Sequence, residues 1–415
     1  MNKKQLSVRL NGKPIGILEQ LLDGKLTFNY NNIAQQAISI SMPIREQPYG
    51  QIACQAFFGG LLPESESAKK MIGKIYGVSP NNIFSLLNLI GADCAGAISF
   101  HAMDEPIQTQ NFFPLEGKII SEDNLYEHIR ALPKKPLFIG VEGLRLSLAG
   151  VHDKAAVCLI DNKIALATHG CPTTHILKPA VPEFEGIVEN EYFCLKVAAR
   201  VGLPVPAVEI RQIKDISFLL IERFDRKIQQ QQIERIHQED FCQALGVVST
   251  KKYQNEGGPN FKQCFSLLDN TTQPAVDRNL LAAGLVFNFL IGNMDAHGKN
   301  FSLLYKTPSQ ISLAPFYDLI CTRVYPALAA KMAMKIGSQY SAENILPRHW
   351  QQLCQEVNYS YPALVRLIKK QAELILQAAE TERDSFIQAS QKTQFIDKII
   401  KILERNISRV VATVP

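Results

Sequence analysis

Asn293-Met294-Asp295-Ala296-His297-Gly298-Lys299-Asn300-Phe301-Ser302, followed by Phe316-Tyr317-Asp318-Leu319, decides how this chain is read. Asp295 is followed five positions later by Asn300, and a second Asp stands 18 positions beyond that. This is the carboxylate-and-amide layout of a phosphoryl-transfer site. One Asp receives a hydroxyl proton, while the Asn and the later Asp hold Mg²⁺ against ATP phosphates. Asp295 is the candidate general base, and Asn300 and Asp318 are candidate Mg²⁺ ligands offering hard oxygen donors. Singly, each has a plainer reading: a turn or capping Asp after Gly292-Asn293, a strand-end Asn, a turn Asp. The order and spacing of all three favour the chemistry. Apolar runs at 301–304 and 311–313 bracket Thr307-Pro308-Ser309 and predict a hairpin that brings Asn300 and Asp318 near each other. His297, in the same loop, is expected to support by hydrogen bonding.

Upstream, Leu280, Leu281, Leu285, Val286 and Phe289 recur at helical spacing and predict a helix over 277–290 that runs into the Asp295 loop. Lys178 ends an apolar strand in His175-Ile176-Leu177-Lys178-Pro179, where an amine would reach the α- and β-phosphates. Glu189 or Glu191 on the following helix would position it; the plainer reading is a solvated Lys at a strand edge. A glycine-rich phosphate loop is weakly represented, since only Gly150 stands in the stretch 146–154. Residues 218–226 form an apolar strand running into charge, suited to a hinge whose backbone reads adenine.

The composition is globular: 415 residues, 46% hydrophobic and 20% charged, enough for two or three domains. A net charge of +5 is too balanced to argue nucleic-acid binding from bulk electrostatics. Nine cysteines, odd in number and without a Cys-x-x-Cys pair, argue against a disulfide framework or zinc ribbon and fit a reducing cytoplasm. No apolar run follows the basic N-terminus and no 18-residue apolar window exists, so neither leader nor membrane span is expected.

Along the chain, Asn11-Gly12 between alternating segments predicts a hairpin. Helices are expected over 50–77 with a break at Pro63, after Ser79-Pro80-Asn81-Asn82, and near 121–132. Strands are expected over 144–148, 156–160, 164–167, 174–178, 205–210 and 216–221, with a helix over 190–201 stopped by Gly202. From Gln238 onward the chain reads as mainly helical, ending in about three amphipathic helices. The expected division is an α+β module at 1–105, a small lobe with its linker at 106–236, and a helical lobe at 237–415.

Taken in order, these strings resemble the HipA family, serine/threonine kinase toxins of bacterial type II toxin–antitoxin modules. The likeness spans nearly the whole chain. It runs through Leu10-Asn11-Gly12-Lys13, Phe57-Phe58-Gly59-Gly60-Leu61-Leu62-Pro63-Glu64, Ile90-Gly91-Ala92-Asp93-Cys94-Ala95-Gly96-Ala97 and Ser147-Leu148-Ala149-Gly150-Val151-His152-Asp153-Lys154. It continues through His175–Pro179, Glu189-Asn190-Glu191, Glu222-Arg223-Phe224-Asp225-Arg226, His237-Gln238-Glu239-Asp240-Phe241-Cys242-Gln243 and the Asp295 and Asp318 strings.

The resemblance implies a two-lobed α+β kinase-like fold, distantly like phosphoinositide kinases, with an extra N-terminal α+β subdomain and a mostly helical C-lobe. It implies ATP and Mg²⁺, Asp295 as base, Asn300 and Asp318 on metal, and Lys178 on phosphate. Glu222 and Phe224 would meet adenine, and Gln238, His297 and Tyr317 would line the nucleotide. The implied substrate is a serine of an aminoacyl-tRNA synthetase, glutamyl-tRNA synthetase in the best-known case, with growth arrest and persistence as the result. Ser147 is the implied autophosphorylation site that shuts activity off. A HipB-like helix-turn-helix antitoxin is the implied partner, with operator DNA reached through it. Two departures stand out: Met294 beside the catalytic Asp, and His152-Asp153 in place of a Gln-Glu pair.

Two other classes compete. A catalytically silent kinase-fold co-repressor would commonly lose one of Asp295, Asn300, Asp318 or Lys178, and all four are present. A small-molecule or lipid kinase has no evident use for the N-terminal module.

Overall fold

The computed structural model describes residues 4–107, 112–138, 145–149, 153–168, 170–328, 330–388 and 394–414. The chain forms two compact units interleaved in sequence: Met1–Pro179 with Arg211–Thr250 and Leu303–Ile311, and Ala180–Ile210 with Lys251–Ser302 and Ser312–Pro415.

The first unit begins with the expected hairpin. Strands Lys4–Leu10 and Lys13–Gln20 pair antiparallel around Asn11 (φ 51°) and Gly12 (φ 77°), the left-handed pair that a tight hairpin turn requires. Leu26–Tyr30 and Ile98–His101 complete a four-stranded sheet. Helix Gln51–Gly60 is separated by Pro63 from Glu66–Tyr76, which Ser65 caps through Ala68 N. Asn82 likewise caps Ile83–Ile90 through Ser85 N. Phe28, Phe57 and Phe100 meet Phe58 edge to face, with centroids 5.3 to 5.7 Å apart, and seal helix Gln51–Gly60 onto the sheet.

Next comes a six-stranded sheet in the order Val208–Ile213, Ile216–Glu222, His175–Pro179, Ala155–Ile160, Lys163–Ala167, Gly117–Ile119. Four of its strands fall within one residue of the expected ones, Val208–Ile213 is shifted three residues from the expected 205–210, and Gly117–Ile119 was not expected. The expected strand over 144–148 does not form: Leu146 makes one isolated parallel bridge to Asp93, and Leu144 lies outside the described residues. A second correction concerns the stretch before and after Gln238. Arg226–Gln229 and Gln232–Arg235 form a hairpin with Phe112–Pro114 alongside, and His237–Asp240 is a strand, not the start of helix. Asp240 then caps the short helix Phe241–Ala244.

The second unit is mainly helical. Ile187–Arg200, Pro274–Ile291, Tyr361–Gln388 and Gln394–Thr413 pack together. Buried polar ties fix their registers: Gln371 Nε2 donates to Ala283 O at 3.0 Å, and Asn406 Nδ2 to Leu290 O at 3.1 Å. Pro274–Ile291 is long and apolar enough to cross a membrane by length and composition, yet it is packed here as a core helix, its Phe289 ring against Trp350. Pro347–Glu356 precedes the two long C-terminal helices, giving the three expected at the end of the chain. The hairpin Lys331–Ile336 and Gln339–Ser341 was not expected.

Candidate active site

In the second unit the site is built on the end of one helix. Pro274–Ile291 stops at Gly292 (φ 76°), a conformation for which glycine is suited because it has no Cβ. The chain then turns into a loop held from several sides. Asn293 Nδ2 donates to Asn288 Oδ1 (2.8 Å) and Asp318 O (3.3 Å), while its Oδ1 accepts from Asp295 N (3.1 Å). Thr322 Oγ1 accepts from Met294 N (2.8 Å) and donates to Gly292 O (3.1 Å). Met294 is buried, and its carbonyl accepts from Ala333 N at 2.8 Å. Its departure from a smaller polar residue is thus absorbed by packing.

Within the loop, His297 N donates to Asp295 O (2.8 Å), and Asn300 N donates to His297 O (2.9 Å). Asn300 Nδ2 donates to Asp295 O at 3.0 Å. With that nitrogen spent on a carbonyl, Oδ1 is the Asn300 atom left to meet a cation, as a hard-oxygen site needs. The His297 imidazole is buried, with Nε2 3.9 Å from Asp295 Oδ2. The Asp295 side chain is half exposed, so a base of this kind stays open to an incoming hydroxyl.

The Asp318 loop is stitched to this one. Tyr317 Oη donates to Lys299 O (2.6 Å), and Ser302 Oγ donates to Tyr317 Oη (2.7 Å). One residue before Asp318 is therefore bonded to one residue before Asn300. Phe316 lies on Gly284 of the helix so closely that a Cβ there would come within 2.2 Å of its ring. The same helix thus carries the Asp295 loop on its end and seats the Asp318 loop on its side. Asp318 holds φ 52°, a left-handed conformation that Asp tolerates better than most residues. Among the described residues no group of three or more His, Cys, Asp or Glu is placed to hold a metal. An Asn and an Asp suit Mg²⁺, which keeps waters and substrate phosphates as its other ligands.

Two residues here escaped the sequence reading. Asn293 joins the two loops, and its place directly before Met294-Asp295 was the available signal. Tyr253 Oη donates to Asp295 Oδ1 at 2.7 Å from 42 positions upstream, with no local signal for the contact.

The other candidates stand in the first unit. Lys178 is half-buried on strand His175–Pro179 and pairs with Leu219; Glu222, exposed, pairs with His175 on the same two strands. Phe224 and Gln238 are half-buried. Gln238 Nε2 donates to Asp225 Oδ2 at 3.2 Å, and its backbone passes so near Gly96 that a Cβ there would lie 2.7 Å from Gln238 N. Glu189 and Glu191, on Ile187–Arg200, belong to the second unit.

Ser147 is fully buried; its Oγ donates to Leu61 O at 2.7 Å and its N to Asp93 O at 3.0 Å. Gly150, Val151 and His152 lie outside the described residues.

The charged string after Ile216–Glu222 is buried. Asp93 bonds Arg223 (3.3 Å), Arg226 (2.7 Å) and Thr173, while Asp225 bonds Arg223 (2.8 Å) and Gly96 N (2.6 Å). Burial alone would raise the Asp93 carboxyl; Arg226, Arg223 and Arg235 overcome it and hold it well below the usual carboxylate range.

Comparison with known proteins agrees along the chain. Residues 6–101 match the HipA N-terminal domain and residues 146–383 the HipA-like C-terminal domain. The Sinorhizobium fredii protein Y4mE is 40% identical over 411 residues, 96% of this chain and 97% of that one. The serine/threonine-protein kinase toxin HipA of Shewanella oneidensis is 31% identical over 302 residues, covering 70% of this chain and 68% of that one. A solved structure of the Shewanella oneidensis toxin–antitoxin system, with HipA, HipB and operator DNA, superposes with a TM-score of 0.85 at 25% identity, over 99% of this chain and 98% of that one. The catalytic-loop geometry and these likenesses make one case: the chain belongs to the HipA family of protein kinases and has their two-lobed α+β fold.

Proposed function

We propose that this chain is the kinase toxin of a toxin–antitoxin pair, transferring the ATP γ-phosphate to a serine of an aminoacyl-tRNA synthetase, with glutamyl-tRNA synthetase the first candidate. The observation that carries the reading is the Tyr317 Oη bond to Lys299 O, which ties the Asp318 loop to the loop of Asp295 and Asn300. Asp295 takes the proton of the attacking hydroxyl, and ADP leaves with its β-phosphate oxygen. Asn300 and Asp318 would hold Mg²⁺, which when bound neutralises charge on the phosphates. Lys178 would meet the α- and β-phosphates. Glu222 and Phe224 would face adenine, with Gln238, His297 and Tyr317 along the nucleotide.

Ser147 is the proposed self-inactivation site. A phosphate of about −1.5 to −2 charges has no place beside Leu61 O in a fully buried position, so modification would require Ser147 to leave it. The partner would be a HipB-like helix-turn-helix antitoxin, which would link the toxin to operator DNA; the related toxin has been captured in such a complex. Nine free, buried cysteines agree with a reducing cytoplasm. The division at 105 and 236 remains our organisational proposal.

The test is incubation of the purified chain, and of Asp295→Asn, with γ-labelled ATP, Mg²⁺ and a panel of synthetases, followed by peptide mapping. Label on a synthetase serine and on Ser147 with wild type alone is the expected result. Label on other proteins only would reject the synthetase, and label absent from the Ser147 peptide would reject the switch. ATP binding without transfer, from protein whose intact mass excludes prior phosphorylation, would favour a silent co-repressor.

A further inference from the structure

Tyr253 lies in Lys251-Lys252-Tyr253-Gln254-Asn255-Glu256-Gly257-Gly258-Pro259, a stretch with no part in the phosphoryl-transfer layout. Its Oη donates to Asp295 Oδ1 at 2.7 Å, and its ring stands edge-on to His297, with centroids 5.3 Å apart and an interplanar angle of 82°.

The mount for this hydroxyl is elaborate. Tyr253 O accepts from Glu256 N (3.0 Å) and Gly258 N (2.9 Å), closing a tight loop through Gly257 (φ 90°). A Cβ on Gly258 would come within 2.3 Å of Lys251 O and 2.7 Å of Tyr253 O, so the loop closes this way only with glycine. Next to Tyr253, Gln254 Oε1 accepts from Lys335 N at 2.7 Å on strand Lys331–Ile336. Ala333 of that strand donates to Met294 O at 2.8 Å, directly beside Asp295. One strand therefore holds both the neighbour of the donor and the neighbour of the acceptor. Phenol and carboxylate are set in one frame.

A half-exposed carboxylate turns readily about its last torsion, because that rotation has no sharp staggered wells. A charge-assisted O–H···O⁻ bond selects one orientation. We infer that Tyr253 is a positioning residue for the general base: its hydroxyl engages Oδ1 of Asp295 and turns Oδ2 toward the proton of the attacking hydroxyl. The inference rests on the reading of Asp295 as base and assigns Tyr253 no contact with substrate. The rival reading makes the phenol a stand-in for the acceptor hydroxyl, and it predicts the opposite sign.

Tyr253→Phe removes one oxygen and keeps the ring against His297. It should be compared with wild type, Asp295→Asn and the double variant, all full length and matched in thermal unfolding. The measurement is ADP release from ATP–Mg²⁺ with casein as added serine acceptor; protein-bound and free phosphate are counted together, so self-labelling and transfer to water also register. We expect kcat to fall about ten- to hundredfold, the scale on which misplaced catalytic groups are felt, with KM for ATP within about twofold. In the Asp295→Asn background the same substitution should change nothing, which a merely structural role would not produce. An unchanged kcat, an equal loss in both backgrounds, or a loss confined to KM would overturn the proposal. A raised kcat would overturn it in favour of the stand-in. Equal rates for wild type and Asp295→Asn would sink the assignment of the base itself, a distinct failure.

Discussion

Asp295 is a half-exposed carboxylate whose backbone is held at both sides: its N–H by Asn293 Oδ1, its carbonyl by His297 N and Asn300 Nδ2. Asp295→Asn keeps that framework and removes only the basic oxygen. Transfer should fall about 10²- to 10⁴-fold, the usual contribution of general base catalysis, while ATP binding by titration stays near wild type. Thr322 acts one step further out, bridging Met294 N and Gly292 O through its hydroxyl. Thr322→Val keeps the shape and leaves a buried N–H unpaired, a loss of about 1–3 kcal/mol. The expected result in urea melts is lower stability, together with reduced kcat, because the loop it braces carries Asp295, the proposed base. Unchanged kcat at lowered stability would show that the brace serves folding alone.

At the scale of elements, helix Pro274–Ile291 is the frame of the site. Its last turn releases the Asp295 loop at Gly292, and Gly284 on its side admits the Phe316 ring that leads to Asp318. Gly284→Ala gains helix propensity of up to about 1 kcal/mol, yet it forces a methyl to within 2.2 Å of Phe316. Overpacking of that kind costs about 1–3 kcal/mol, so steric strain should win. The expected outcome is a net loss of stability and a raised Mg²⁺ requirement in activity titrations, as Phe316 carries Asp318 with it. Wild-type Mg²⁺ dependence would disconnect the helix from the proposed metal role of Asp318.

On the scale of the whole molecule, the first unit joins early and late chain through buried polar groups. Asp93 meets three arginines from 223–235, all nearly inaccessible to water. Asp93→Asn would leave Asp225 as the one carboxylate of this cluster against three buried guanidiniums, and breaking such a cluster costs about 3–5 kcal/mol; denaturant melts should register it as an early transition of this unit.

A second join is pH-sensitive. Burial pushes the Glu239 carboxyl up to about 7, against hydrogen bonds from Ser39, Tyr305 and Ile40, and lowers the His237 imidazole to about 4. His237 Nε2 faces Ile38 O at 2.8 Å; a carbonyl only accepts, so this nitrogen carries the proton. Between about pH 4.5 and 6.5 native Glu239 keeps a proton that the unfolded carboxyl has lost, so its contribution to stability falls as pH rises. Over the same window unfolded His237 binds a proton that the native ring refuses, so its contribution rises with pH. The slopes, each about 1.4 kcal/mol per pH unit, nearly cancel. Glu239→Gln should make stability climb from pH 5 to 6 relative to wild type, and His237→Gln should make it fall. Parallel urea midpoints for all three proteins would reject the pairing.

Much of the layout is local and could be read from the chain. Asn11-Gly12 supplies the left-handed turn, Ser65 and Asn82 supply helix caps, and Asp161-Asn162 turns two strands with φ of 48° and 61°. The spacing of Asp295, Asn300 and Asp318 survives because a hairpin between Asn300 and Asp318 is itself a short-range object. The hairpin after Arg226 stayed hidden because its left-handed turn is Gln230-Gln231, residues that carry no turn signal. Arg223, Asp225 and Arg226 read as a polar exit from a strand, since nothing nearby reveals that Asp93, some 130 positions away, pairs with both arginines. Tyr253 was invisible for the same reason. Most helices, several caps and turns, and the order of the candidate catalytic residues follow from interactions over a few residues and are legible in the chain, whereas the strand His237–Asp240 and the hairpin of Lys331–Ile336 with Gln339–Ser341 are not. Only the tertiary structure decided which distant groups share a hydrogen bond or a buried charge, because burial and pairing depend on where the folded chain returns.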